Sequence, residues 1–298
     1  RSLLMLKYLL LPLIAFSGFA CSKVIHEERS LYRNIIVEET SDLRCLKFNT
    51  KSSQTSQSCM YKNNPDKLVF NYTKLTFASL LVADNPKNVL IIGLGGGTLS
   101  NVIHELYPTA KIHNVEIDPA VTKVARDYFN FIENDLVTSS VQDGRIFIKR
   151  AAIKKQKYDW IILDAFNGDY IPEHLLTKEF FEEVQSVLAE GGVIAANTFS
   201  SSKLYQHESA TYHAVFGDFI NVSRENRSNR IILAGLKSIP SEAQINTRVN
   251  ALAPKLVKYG IDIKAISQFM HFTKDGQDWP ADTKVLTDQY SPANLLNF

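Results

Sequence analysis

The sequence predicts an α/β fold in which a doubly wound, mostly parallel sheet ends in an antiparallel hairpin and follows a small antiparallel β-domain. Strand-like segments rich in β-branched and aromatic residues come first, before residue 71. From residue 88 onward, apolar runs alternate with amphipathic segments, which is typical of a parallel sheet covered on both faces. Near the end, DFINVSR and NRIILAG read as two strands joined by a short polar turn. With 298 residues, 45% of them hydrophobic, the chain can bury a large core.

The first residues, 1–21, predict a signal peptide or an anchor. After Met5 come a lysine, an apolar run, and the small residues Gly18 and Ala20 before Cys21. This layout is typical of a bacterial export signal, and Cys21 after Ala20 resembles a lipoprotein processing site. An uncleaved membrane anchor is the alternative, because the apolar run is near the lower limit for spanning a bilayer. We therefore expect a membrane-associated or periplasmic protein, or a cytoplasmic one if the leader is not processed.

Residues 27–71 predict the small antiparallel β-domain, with SLYRNIIVEE, LRCLKFNT, SCMYK and KLVFNY as its strands. Cys45 and Cys59 are equally distant from Ser52, so a hairpin that turns there places them opposite each other. We predict a disulfide between them, with two free buried thiols as the alternative. The next segment, YTKLTFASLLVA, predicts a helix that DNPK ends.

Residues 72–298 predict the nucleoside-binding domain. Its alternating segments include NVLIIG, TLSNVIHELYP, KIHNVEID, PAVTKVARDYFNF, YDWIILDAF, TKEFFEEVQSVLAEGG and VIAANTF. In this rhythm RIFIKR, at 145–150, reads as a further apolar, strand-like run.

The glycines in VLIIGLGGGTLS follow a predicted strand and precede a predicted helix. In that context Gly93, Gly95, Gly96 and Gly97 allow the backbone to approach a ligand and aim helix N–H groups at it. Glu116 ends the next strand, where its carboxylate could accept hydrogen bonds from both hydroxyls of a ribose. The sequence therefore predicts a nucleoside-binding loop.

The spacing of the glycines favours S-adenosyl compounds over dinucleotides. Thr98 stands where the dinucleotide pattern G-x-G-x-x-G has its last glycine. In QDGR, Asp143 beside Gly144 could accept a hydrogen bond from an adenine amino group, and a simple turn is the alternative. Asp118 is better explained as the N-terminal cap of the following helix.

These motifs resemble the polyamine aminopropyltransferases, the spermidine and spermine synthase family, over about residues 27–298. VLIIGLGGGTL is similar to the family's glycine motif, VEIDP to its ribose-binding acid, QDGR to its adenine loop, and DYIPEHLLTKEFF to its active-site segment. The resemblance implies the Rossmann-like fold of S-adenosylmethionine-dependent methyltransferases. It also implies decarboxylated S-adenosylmethionine as co-substrate, a small-molecule amine as acceptor of the aminopropyl group, and a homodimer.

Aminopropyl transfer brings two cationic reactants together and removes a proton from the attacking amine, so it requires acidic groups. Asp164 and Asp169, in LDAFNGD, end a predicted buried strand and are the candidate catalytic acids. The alternative is a solvated loop in which Asp164 caps the backbone. By resemblance, the family's catalytic Asp falls at Asn167, which leaves Asp169 as the nearest substitute.

Other positions also depart from the family. Gly96 replaces an Asp thought to hold the aminopropyl ammonium. The family's Tyr-His-Glu corresponds to Tyr72, Thr73 and Lys74, and its Gln in the first strand corresponds to Arg33. If these residues line one pocket, Lys74 and Arg33 place cations near a cationic acceptor, which is costly in a water-poor cleft. The nucleoside half of the site resembles the family, whereas the amine half differs from it.

The C-terminal segment LTDQYSPAN resembles a bacterial spermidine-synthase-like group. It carries Asp288 and Tyr290, and it either folds back over the cleft or packs as a tail on the sheet.

Other functional classes have less support. A net charge of +2 with dispersed basic residues gives no case for nucleic-acid binding, and no His-x-x-x-His or Cys-x-x-Cys indicates a metal. The alternatives to an aminopropyltransferase are an exported nucleoside-binding or polyamine-binding protein without transfer activity and an S-adenosylmethionine-dependent methyltransferase. Decarboxylated S-adenosylmethionine is made in the cytoplasm, so export favours the binding protein. Ile91 stands where methyltransferases usually carry an acid, which disfavours the methyltransferase.

Overall fold

The computed structural model describes residues 22–49, 54–83, 85–166, 170–224 and 229–291. The predicted leader and two residues of LDAFNGD, Asn167 and Asp169, lie outside these ranges. Within them, no helix is both long enough and apolar enough to cross a membrane.

The described chain contains strands in two sheets, with helices between them. The strands are β1 (Lys23–Arg29), β2 (Asn34–Glu39), β3 (Leu43–Asn49), β4 (Gln54–Tyr61), β5 (Asn88–Ile92), β6 (Lys111–Glu116), β7 (Val137–Val141), β8 (Tyr158–Leu163), β9 (Leu188–Phe199), β10 (Ile220–Ser223), β11 (Asn229–Ala234) and β12 (Met270–Phe272). The α-helices are α1 (Asn71–Thr76), α2 (Thr98–Leu106), α3 (Pro119–Tyr128), α4 (Gly144–Ile153), α5 (Lys178–Val187), α6 (Tyr205–Phe216), α7 (Glu242–Leu256) and α8 (Ile263–Ser267). Short 3₁₀ turns occur at Phe77–Leu81, Glu173–Leu175, Val257–Tyr259 and Thr273–Asp275.

The large sheet has eight strands in the order β12-β10-β11-β9-β8-β5-β6-β7. Strands β9, β8, β5, β6 and β7 are parallel, and β11, β10 and β12 add to them antiparallel. The first four strands form a separate antiparallel sheet in the order β1-β2-β3-β4. The predicted fold, including its antiparallel finish, is confirmed.

Helices cover both faces of the large sheet, because successive side chains of a strand point to opposite faces. On β5, Val89 and Ile91 belong to the core that includes buried residues of α7 and α8. Leu90 and Ile92 belong to the core on the other face, which includes residues of α4, α5 and α6. A third core joins the small sheet to α3. This packing fixes the carboxyl ends of the parallel strands next to the small sheet.

The hairpin of β3 and β4 places Cys45 opposite Cys59, and the two residues form a disulfide. The predicted pairing is confirmed. It is local, since it links two strands that already share a ladder.

Two predicted strands are wrong. RIFIKR lies in α4, because Asp143 caps the helix by accepting from the N–H of Ile146, and the apolar residues Phe147, Ile148 and Ala151 share its buried face. The third strand of the parallel sheet is instead the preceding VTSSV.

KLVFNY contributes only one bridge, between Met60 and Leu68, before α1 begins at Asn71. The small sheet obtains its fourth strand from β1, which begins at Lys23, before the first strand that the sequence predicted.

Candidate active site

The carboxyl ends of β5, β6 and β8 face the small sheet across a cavity of about 290 Å³. This is where ligands bind in open α/β sheets. The large sheet and its loops contribute Ile92, Gly93, Leu94, Gly95, Thr98, Val115, Glu116, Ile117, Gln142, Asp143, Gly144, Asp164, Ala165 and Phe166. The small sheet and α1 contribute Tyr32, Arg33, Phe48, Gln57, Ser58, Tyr72 and Thr73.

The glycine loop approaches the cavity through Gly93 and Gly95. Gly93 has φ +99°, and a Cβ there would lie 2.3 Å from the backbone oxygen of Asp164, so only glycine fits. Gly97 begins α2 as its N-cap with φ +72°, and a Cβ would lie 2.5 Å from the ring of Phe131. The structure therefore places Gly97 in packing between helix and loop, not on the cavity wall.

Gly96 also faces away from the cavity. A Cβ at this position would lie 2.8 Å from Ser58 Oγ and 3.0 Å from the ring of Phe129. A larger residue would displace Ser58, which lines the cavity from the small sheet. Glycine at this position thus allows the small sheet to pack closely on the loop.

Glu116 ends β6 with both carboxylate oxygens held by backbone. One accepts from the N–H of Leu94 at 3.1 Å and the other from the N–H of Asp118 at 3.0 Å. Burial raises the pKa of the Glu116 carboxyl, and these two hydrogen bonds oppose the rise. Each oxygen accepts one of these hydrogen bonds and can accept another, and Glu116 lines the cavity, so the carboxylate could also bind ribose hydroxyls.

Asp118 is the N-cap of α3, as predicted. Its Oδ1 accepts from the N–H of Ala120 at 3.0 Å, and it is fully buried.

Asp143 lines the cavity and caps α4. Its Oδ2 is 2.8 Å from His174 Nε2, and this hydrogen bond is the main reason that the pKa of the Asp143 carboxyl is lowered. A Cβ on Gly144 would lie 2.5 Å from Ile92 Cγ2, so glycine allows α4 to begin against β5. His174 also lines the cavity. The sequence did not predict it as a site residue, although it lies within the segment DYIPEHLLTKEFF.

Asp164 follows β8 and lines the cavity. Its Oδ1 accepts from Asn197 Nδ2 at 2.8 Å, and it also hydrogen-bonds with the Tyr72 hydroxyl. Burial raises the pKa of the Asp164 carboxyl to about 7, although both hydrogen bonds oppose the rise. Burial is also the main reason that the pKa of Tyr72 is raised. Asn197 lies far along the chain on β9, and no local motif marked it.

Arg33 reaches from the small sheet to the large one. Its guanidinium lies 4.2 Å from the centre of the Phe48 ring, and Nη1 donates to the backbone oxygen of Phe166 at 3.3 Å. Its Nε lies 3.8 Å from Asp118 Oδ2 and has no hydrogen-bond partner. The structure thus brings Arg33 to the cavity, as the sequence predicted.

Lys74, in contrast, does not line the cavity. Burial, followed by the nearby charges of Lys67 and Arg224, lowers its pKa, so it belongs to a cationic group on the far side of α1. Lys74 follows the cavity-lining Tyr72 by two residues on the short helix α1. Its side chain therefore points to another face of the helix.

The segment LTDQYSPAN packs as a tail; none of its described residues lines the cavity. Leu286 is fully buried against Leu176 and Leu204. Asp288 accepts two hydrogen bonds of 2.7 Å from Arg145, whose Nη1 also donates to the backbone oxygen of His174 at 3.2 Å. The tail therefore contacts the cavity wall indirectly, through Arg145 and the backbone of His174.

The cavity combines three carboxyl groups with different surroundings. Backbone N–H groups hold Glu116 and His174 holds Asp143, while burial raises the pKa of the Asp164 carboxyl to about 7. Such a set can bind a nucleoside and accept a proton from a bound amine. Within the described ranges, no group of His, Cys, Asp or Glu has the arrangement of a metal site.

The comparisons with known proteins agree with this geometry. Residues 70–223 match the family model described as the spermine/spermidine synthase domain. A polyamine aminopropyltransferase of Vibrio vulnificus (strain CMCP6) is 45% identical over 97% of this chain and 96% of its own length.

Two solved structures share the fold. A probable spermidine synthase from Corynebacterium glutamicum superposes with a TM-score of 0.69 at 21% identity, over 89% of this chain and 97% of that chain. A spermidine synthase in complex with the transition-state analogue AdoDATO superposes with a TM-score of 0.59 at 20% identity, over 80% of this chain and 88% of that chain. With a family model that matches more than half of its length and a relative of 45% identity over nearly all of it, this chain belongs to the spermine/spermidine synthase family.

Proposed function

We propose that this protein transfers an aminopropyl group from decarboxylated S-adenosylmethionine to a small-molecule amine, as part of polyamine synthesis. The observation that carries the proposal is the single cavity that joins Glu116 and Asp143 to Asp164. The first two acids suit the ribose hydroxyls and the adenine amino group, and the third lies where a proton must be accepted.

The reaction is a displacement at the methylene carbon by which the aminopropyl group is bonded to the sulfonium sulfur. The amine nitrogen forms a C–N bond to this carbon, the C–S bond breaks, and its electron pair stays on sulfur in neutral methylthioadenosine. The nitrogen must lose a proton before it attacks. An Asp164 carboxyl with a pKa of about 7 is largely ionised at slightly alkaline pH, and a bound cation would lower that pKa further.

Other residues have supporting roles in this proposal. Gly93 and Gly95 let the backbone approach the nucleoside, and Tyr72 holds Asp164 through a hydrogen bond. Arg33 closes the cavity by linking the small sheet to Phe166. Asp169 stays a second candidate catalytic acid on the sequence prediction alone.

The purified full-length chain should be incubated with decarboxylated S-adenosylmethionine and a panel of monoamines, diamines and triamines. Mass spectrometry would follow methylthioadenosine and the aminopropylated product. We expect amine-dependent release of both, and a loss of at least about 100-fold in kcat for Asp164→Asn, because the variant lacks the proton acceptor.

The same assay with S-adenosylmethionine distinguishes the alternatives. Amine-dependent formation of S-adenosylhomocysteine would replace the proposal by methyl transfer. Binding of methylthioadenosine without any turnover would support a binding protein.

We also propose that residues 1–21 direct the chain to the cell envelope, by lipidation at Cys21 or as an anchor. Because decarboxylated S-adenosylmethionine is made in the cytoplasm, a chain found outside the cytoplasm would favour the binding-protein alternative over the transferase. The Cys45–Cys59 disulfide supports an oxidising compartment. Cell fractionation with intact-mass analysis in the absence of reductant tests this: cytoplasmic protein with free thiols at Cys45 and Cys59 would overturn it. We propose a homodimer because the family resemblance implies one, and light scattering of the purified protein would test it.

A further inference from the structure

Asn197 is a buried amide that contacts Asp164, although it does not itself line the cavity. It lies on β9, with 5% of its surface exposed, and its Nδ2 donates to Asp164 Oδ1 at 2.8 Å. β9 is hydrogen-bonded to β8, the strand that Asp164 follows. The contact therefore joins two neighbouring strands of the large sheet at a residue that lines the cavity.

The orientation of this amide is fixed from its other side. Asn197 Oδ1 accepts from Asn229 Nδ2 at 3.1 Å, across the antiparallel pair of β9 and β11. If the amide were reversed, its oxygen would face the Asp164 carboxylate and its nitrogen would face the Asn229 amide nitrogen. Both contacts would be repulsive, so the donor side of Asn197 stays toward Asp164.

The remaining surroundings of Asp164 do not replace this contact. The Tyr72 hydroxyl is its other side-chain hydrogen-bond partner, and Glu116 is the charged group whose field acts on it, with an unfavourable sign for the carboxylate. No cation in the described part of the chain forms an ion pair with Asp164. Two neutral donors, Asn197 and Tyr72, thus stabilise a carboxylate that faces another acid.

We propose that Asn197 is a positioning residue for Asp164: its amide holds one carboxylate oxygen in place, so that the carboxylate is oriented and kept ionised for the incoming amine. The name of the reaction rests on the proposed function, but the contact itself does not. Asn197 acts only through Asp164. A merely structural asparagine in the sheet would leave the titration of Asp164 unchanged.

The test replaces Asn197 by Leu, which has a similar size and no donor. In protein labelled with ¹³C at aspartate carboxyls, the Asp164 signal is assigned by its absence in Asp164→Asn. We expect the titration midpoint of Asp164 to rise by about one pH unit in Asn197→Leu, because a donor to the charged form is lost. The acid limb of the kcat profile should move with it, and kcat at pH 7 should fall about fivefold, as the ionised fraction of Asp164 does. The KM for the nucleoside should change by less than about twofold, since Glu116 and Asp143 are untouched.

Two further variants separate positioning from stability. Asn197→Gln restores a donor, and a small adjoining cavity of about 20 Å³ lies beside Asn197 to accommodate the longer side chain, so the midpoint should return toward the wild-type value. Asn221→Leu removes another buried asparagine of the same sheet, on β10, and should leave the midpoint unchanged. If Asn197→Leu does not fold, Asn197→Ala serves the same purpose.

An unchanged midpoint in the donor-free variant, or an equal shift in Asn221→Leu, would overturn the proposal. The titration needs no turnover. If the wild-type enzyme transfers nothing and the midpoint still shifts, the proposed function fails and the positioning role stands.

Discussion

Asp164 takes its properties from residues that are distant in the sequence. Its position at the end of a predicted buried strand makes it a candidate, and the structure places it in the lining of the cavity. Its raised pKa could not be predicted, because the main cause is burial, which the whole fold determines. The groups that modify the pKa are also distant in sequence: the donors Tyr72 and Asn197, which lower it, come from α1 and β9, and Glu116, which raises it, comes from β6. Lys74 shows the same limit: proximity in sequence to Tyr72 did not place it in the same cavity.

A pKa of about 7 predicts how Asp164 affects stability. A carboxyl whose pKa is raised in the folded state favours folding when protonated, and this advantage is lost as pH rises from about 4 through about 7. Asp164→Asn cannot ionise, so its free energy of unfolding relative to wild type should increase by about 2 kcal/mol between pH 5 and pH 8. Urea unfolding at both pH values measures this difference. An equal difference at the two pH values would show that Asp164 does not titrate in this range.

At the scale of elements, the sequence predicted the parallel strands and the glycine loop because both have strong local signals. RIFIKR was read as a strand since its apolar residues are dense, but a capping Asp143 and packing between β6 and α5 make it a helix. VTSSV is not among the predicted strands, because it is polar and forms the edge of the sheet. Edge strands need less apolar surface than central ones, so composition identifies them poorly.

Gly93 offers a test of how tightly the loop is built. Gly93→Ala combines a positive φ with a Cβ 2.3 Å from the backbone oxygen of Asp164, whereas Gly191→Ala has φ +75° and no atom within 4 Å. The control should therefore lose only about 1 kcal/mol of unfolding free energy, from backbone strain. Gly93→Ala should lose at least about 2 kcal/mol more and bind methylthioadenosine at least about tenfold more weakly. Thermal unfolding and calorimetric titration measure the two effects, and equal losses in both variants would contradict the close approach.

At the scale of the whole molecule, the cavity wall around Asp143 and His174 depends on the C-terminal tail. Arg145, next to Gly144, joins Glu183 on α5, Asp288 in the tail and the backbone of His174 on the cavity wall. The sequence could place Asp288 in a distinctive motif, but not its partner, which lies 143 residues away. Its alternatives, a flap over the cleft or a packed tail, could be separated only by knowing that Leu286 is buried.

Loss of the Asp288 contact should therefore act on nucleoside binding from a distance. In Asp288→Asn, Arg145 loses a charged partner and the backbone of His174 loses part of its support, so the Kd for methylthioadenosine should rise about threefold to tenfold. Asp282→Asn, at an exposed position of the same C-terminal segment, is the matched control and should bind like wild type.

The hydrogen bond with Arg145 lowers the pKa of Asp288 to about 2, so its contribution to folding is present above about pH 4 and is lost as pH falls toward 2. The acid-induced loss of melting temperature should accordingly be smaller in Asp288→Asn than in wild type. Equal affinity for methylthioadenosine in Asp288→Asn and Asp282→Asn would mean that the tail stabilises the fold without shaping the cavity.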